Sequence, residues 1–128
     1  MRIRAGVRTV VGRAVPALSF AVAGNLAVLV LAYLTVGLFG PLSLVPVVLV
    51  STIAGVGAAI TYSLLDWQLA DPDRPFLAIA VVVLLVSFIS LDFAATMEGA
   101  TIPRLAVLGV THVVAAAGCV AALVDIDR

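Results

Sequence analysis

Lysine is absent from this chain: its seven basic side chains are all arginine, set against seven Asp and Glu. That excludes a retinal-type Schiff base and any other lysine-imine chemistry. A net charge of zero argues against nucleic-acid binding. Cysteine is nearly absent as well. The single Cys119 cannot close an intrachain disulfide or form a Cys-x-x-Cys redox centre. With only one histidine, His112, beside it, one chain cannot assemble a four-ligand structural zinc site. Neither a Gly-rich phosphate loop nor a Gly-x-Ser-x-Gly elbow occurs. The sequence therefore implies no catalytic residues, no metal and no cofactor.

Charge is scarce too, and where it is missing fixes the fold class. No charged side chain occurs in the 52 residues from Ala14 to Leu65. Two more uncharged runs follow, Pro75 to Leu91 and Leu105 to Val124. A helix crossing a hydrocarbon core needs ~20 mostly apolar residues. The first run is long enough for two crossings and each of the others for one. Hydrophobic residues make up 64% of the chain, so lipid must solvate the outside. The expected fold is all-α: a single domain over residues 1–128, built as a four-transmembrane-helix up-and-down bundle. Its helices are placed at about 14–39, 42–65, 76–93 and 103–124.

The breaks have chemical reasons. Gly40-Pro41 ends the first helix, and Pro46 is tolerated near the first turn of the second. Residues 66–75 hold two prolines and four acidic or basic side chains, so they form an aqueous loop. Thr101 is the expected N-cap of the fourth helix, with Pro103 in its first turn. Arg2, Arg4, Arg8 and Arg13 resemble the start of a signal peptide, and Ala21-Val22-Ala23 resembles a cleavage site. The apolar stretch before that site, Val15 to Phe20, is too short, so the first helix is expected to be retained.

Arginine bias sets the expected orientation. With four crossings, Arg2, Arg4, Arg8, Arg13, Arg74 and Arg128 share one side and Arg104 stands alone on the other. Both termini are therefore expected in the cytoplasm of a multi-pass cell-membrane protein. Trp67, Phe76 and Tyr62 are expected as interfacial anchors at the inner boundary, Phe39 and Phe93 at the outer.

Four groups of residues could carry function. Asn25, Ser87 and His112 all fall near the bilayer midplane, so they are the candidate intramembrane polar cluster. The plainer reading is hydrogen-bonded glue between helices. A stripe of Thr52, Gly55, Ala59, Tyr62 and Asp66 runs down the second helix. Within it Gly55 and Ala59, together with Gly109 and Ala116 on the fourth helix, form a candidate packing face of small residues. Tyr62 and Asp66 could line a polar vestibule, against interfacial anchoring plus a solvated charge. Asp92 and Glu98 could gate against Arg104, against a solvated loop.

Phe93-Ala94-Ala95-Thr96 after the third helix and His112-Val113-Val114 in the fourth resemble a family of small four-helix membrane proteins. That family is known mainly from actinobacteria and haloarchaea and has no assigned activity. It shows an Ala-Ala-Thr-Thr segment followed by a Met-His-Leu-Val-type helix; this chain has Met97 and Thr111 at the departing positions. The match covers about the last 40 positions. It implies four-helix architecture and draws attention to Thr96 and His112.

Two functions remain. One is a non-enzymatic accessory or scaffold subunit, with the lipid bilayer and other membrane proteins as partners. The other is a small homo-oligomeric transporter or channel using His112 as a proton-sensitive group. Four-helix multidrug exporters depend on a membrane-embedded Glu in the first helix, where this chain has only Asn25.

Overall fold

A computed structural model of the chain describes residues 2–124, with side chains from residue 8 onward. The side chains of Arg2 and Arg4, and residues 125–128 with Arg128, lie outside the described residues. The described chain is helical, as α1 (Arg2–Thr35), α2 (Leu44–Gln68), α3 (Asp73–Ser87), α4 (Ile89–Ala95) and α5 (Ile102–Leu123). Four segments are long and apolar enough to cross a membrane: Arg8–Thr35, Leu44–Gln68, Asp73–Ala95 and Ile102–Leu123.

The boundaries differ from expectation where hydropathy alone was used to place them. α1 starts at Arg2, not near 14, because a helix can extend beyond the apolar segment it carries. It ends at Thr35 rather than 39. Gly37 takes φ +80°, and its N–H reaches back to the Ala32 carbonyl at 2.8 Å, closing the helix early. α2 starts at Leu44 and runs on to Gln68, so Asp66 and Trp67 are helical rather than loop. The third crossing is two helices, broken at Phe88. The cause is local. The Ser87 hydroxyl donates to the Leu84 carbonyl at 2.6 Å, and Ser90 donates to the Ser87 carbonyl at 2.7 Å. Both compete with the backbone ladder at the break. Thr101 caps α5 as expected, accepting from the Arg104 N–H at 3.3 Å.

α1 is the centre of the bundle, packed most extensively on α2 and α5. Its buried stripe is Ala14, Ala17, Ala21, Asn25, Leu29 and Ala32, spaced three or four apart and mostly alanine. Small side chains let the neighbours come close, which matters because lipid gives helices no hydrophobic reason to associate. Contacts run antiparallel on both sides. On α2 they pass from Arg13–Asp66 to Asn25–Ser51, and on α5 from Gly118 beside Ala21 to Arg104 beside Val36. Successive crossings therefore alternate up and down.

The third crossing is held differently. Of the residues from Asp73 to Ala95 forming helix, only Phe76 near one end and Ala94 near the other are buried. Phe76 packs with Ala17, Tyr62 and Leu123 in one core cluster; Ala94 joins Leu29, Leu42 and Leu108 in the other. Between those ties its side chains are half-buried or exposed.

Candidate functional site

The space left by the third crossing is a partly open cleft of about 800 Å³, bounded by α2, α3, α4 and α5, with Asn25 of α1 among its lining residues. That size lies within the range of ligand pockets, ≈ 300–1,000 Å³. Small residues line it: Ala54, Gly57 and Ala58 on α2, and Ala115 and Ala116 on α5.

Asn25, Ser87 and His112 all line this one cleft, together with Ser51 and Thr111. Asn25 stands about 5 Å from the midpoint of its crossing and His112 within about 1 Å of its own, at 1.5 Å rise per residue. The three do not bond to one another. The Asn25 Nδ2 donates to the Ser51 Oγ at 2.8 Å, both residues being buried. Its Oδ1 is buried with no hydrogen-bond partner among the described residues. Ser87 turns to its own helix, as described above, because the third crossing stands off. His112 meets the edge of Phe88, ring centroids 6.1 Å apart, and has no hydrogen bond among the described residues. Ser51 is the partner that sequence reasoning missed. With the second helix expected at 42–65, it lies about 4 Å from that helix's midpoint, as near as Ser87 to its own, so depth was an available signal. Its position four residues before Gly55 was another.

Gly55 and Ala59 sit in tight packing, Gly109 and Ala116 less so. A Cβ on Gly55 would lie 2.5 Å from the Leu18 backbone nitrogen, and Ala59 is fully buried. Gly109 has only ordinary contact, 3.6 Å to Leu91, and Ala116 lines the cleft. α5 comes close to α1 at Gly118, whose added Cβ would lie 3.0 Å from the Ala21 nitrogen, and at Gly24 of α1, whose added Cβ would lie 2.7 Å from Val114 Cγ1. The pair Gly118 and Ala122, four apart, was the sequence signal. On α2 the stripe passes through buried Ser51 rather than Thr52, which bonds the Val48 carbonyl.

Tyr62 and Asp66 do not form an open vestibule. Arg13 closes the space, donating to Asp66 at 2.6 Å and to Ser63 at 3.0 Å while its guanidinium sits 5.0 Å from the Tyr62 ring centroid. The Tyr62 hydroxyl donates to Asp73 at 2.6 Å, and its ring meets Phe76 edge-on at 5.3 Å. One clamp thus ties α1, α2 and α3. Tyr62, Phe76 and Phe39 are core rather than interfacial anchors, whereas Trp67 and Phe93 are exposed. At the opposite end Arg104 does not meet Asp92 or Glu98. It donates to the carbonyls of Val36 at 3.0 Å and Gly99 at 2.7 Å, pinning the α1–α2 loop. The Thr96 hydroxyl donates to Phe93 of its own helix. Among the described residues no three His, Cys, Asp or Glu side chains gather as a metal site needs.

Comparison of the chain with family models, with curated proteins and with solved structures returns no match.

Proposed function

We propose that this chain is a non-enzymatic accessory subunit of the cell membrane, both termini cytoplasmic, that presents the α2–α3–α5 cleft as its binding face. The observation that carries this reading is the cleft itself, beside a crossing whose buried residues, Phe76 and Ala94, lie near its two ends. A platform of three closely packed helices beside a loosely held fourth suits binding better than chemistry. The orientation rests on the arginine bias, Arg8, Arg13 and Arg74 lying on the side opposite Arg104.

Native mass spectrometry of the gently extracted protein tests the role. A defined complex with another membrane protein or a retained lipid-soluble molecule supports it. A bare monomer under every extraction condition overturns it. Orientation is tested by labelling cysteines placed at Ala5 and Ala70 in a Cys119→Ala background; reaction from outside at either site reverses the topology.

The second reading is a homo-oligomeric transporter working through His112. Its support is the placement of that imidazole, unbonded among the described residues, at mid-depth on the cleft. Proton-driven flux in proteoliposomes that His112→Asn abolishes while the fold persists would establish it.

A further inference from the structure

The polar lining of the cleft is unbalanced. Thr61, Ser87, Ser90 and Thr111 each donate their hydroxyl to a carbonyl of their own helical segment. None of them is left to serve the buried Asn25 Oδ1, which has no partner among the described residues. Burying an amide oxygen without a donor costs on the order of a lost hydrogen bond or more, and hydrocarbon supplies none. Ser51, also in the lining, accepts from the Asn25 Nδ2 and does not serve its oxygen. His112 is unbonded among the described residues and faces the same cleft. The walls above and below are apolar: Val47, Val50, Val83 and Leu84 near this level, Phe76 and Phe93 toward the ends.

We propose that the cleft binds a membrane-dissolved apolar molecule carrying a hydroxyl group, whose O–H donates to Asn25 and whose body fills the space beside α3. This rests on the reading of the cleft as the binding face and adds the chemistry of the occupant. An unsubstituted phospholipid tail does not satisfy the site. It brings no donor to mid-depth, because its polar groups stay at the interface. A hydroxyl both donates and accepts, so it serves Asn25 and leaves a lone pair for an imidazole N–H. The Asn25 oxygen is covered, so the contact requires the amide to turn, at the expense of its bond to Ser51.

The test uses the full chain in lipid nanodiscs and two photoreactive probes, a diazirine-bearing long-chain alcohol and its methyl ether. The alcohol is expected to label cleft peptides of α2, α3 or α5 roughly three- to tenfold more strongly than the ether, the worth of about one net hydrogen bond. Asn25→Leu is expected to equalise the two. Because that variant also removes the Ser51 bond, Gly57→Phe serves as a second probe. A Cβ there meets nothing within 4 Å and Gly57 lines the cleft, so the ring takes up cleft space, and labelling should be lost with helicity unchanged. Equal labelling of the cleft by alcohol and ether overturns the hydroxyl inference and leaves the binding face standing. Cross-linking of a partner protein in place of either probe does the same. Labelling that ignores Gly57→Phe, with no other occupant found, overturns both.

Discussion

Gly55→Ala is the sharpest test of how this bundle is held. The new methyl would lie 2.5 Å from the Leu18 nitrogen and 2.7 Å from the Leu18 Cβ. Ordinary contact begins at 3.4 Å, so α1 and α2 must part locally by about 0.9 Å. The obstacle is backbone, which cannot swing aside. A radial gap of 0.5–1 Å forfeits about a quarter to a half of each dispersion contact it opens. Dispersion and interhelical hydrogen bonds are the main attractions between helices in lipid. The Asn25–Ser51 bond, one turn along the same seam, would be stretched with them. Overpacking of this kind costs about 1–3 kcal/mol. Gly57→Ala is the internal control: same helix, same chemistry, nothing within 4 Å of the added carbon. It should be neutral or slightly stabilising, since alanine is the better helix former. Gly118→Ala should fall between them, its closest contact being 3.0 Å. Reversible unfolding in mixed micelles, followed by circular dichroism, gives the three stabilities. Gly55→Ala as stable as Gly57→Ala would refute close backbone approach as the basis of α1–α2 association.

Arg13→Gln should destabilise more than Asp66→Asn, by about 1 kcal/mol, since Arg13 also loses Ser63 and its place over the Tyr62 ring. Equal losses in the same unfolding assay would reduce the clamp to its ion pair. Arg104→Ala should speed hydrogen exchange across residues 36–40, and Arg104→Lys should not restore protection, because one ammonium lacks the fork that spans the Val36 and Gly99 carbonyls. Rescue by lysine would mean that charge alone matters there. Thr101→Ala should cost about 1 kcal/mol through the lost cap of α5, read as earlier fraying at residues 102–105 by exchange.

Four crossings, their alternation and the cap at Thr101 were legible because they depend on composition and local chemistry. The helix ends were less so, since Gly37, rather than Gly40-Pro41, takes the left-handed conformation. Depth alone brought Asn25, Ser87 and His112 to one level, and the structure gives them one cleft. Depth could not say who bonds to whom. That depends on rotation about each helix axis: α2 turns Ser51 toward Asn25, while Ser87 is left to its own backbone. Arg13 was legible as a topological charge but not as a clamp, because its partners lie about 50 residues away in sequence.

The cleft has a cause in the sequence of the third crossing. From Asp73 to Ala95 there is no glycine, and the middle is the run Val81-Val82-Val83-Leu84-Leu85-Val86. Bulky and β-branched side chains keep backbones apart, whereas α1 meets α2 at Gly55 and α5 at Gly118. A helix with no glycine, and only valine and leucine over 81–86, does not close on a platform whose facing residues are Ala54, Gly57, Ala115 and Ala116. It is therefore held where it can be: by Phe76 and the Tyr62–Asp73 bond at one end, by Ala94 at the other. This predicts which changes close the cleft. Bulky residues at Gly57 or Ala116 fill it from the platform side without loosening the end ties. Removing Tyr62's hydroxyl releases one end of α3 and should raise exchange along Asp73–Ser87 while leaving α1 protected. Uniform loss of protection across all crossings in Tyr62→Phe would show instead that the third helix is part of one cooperative core.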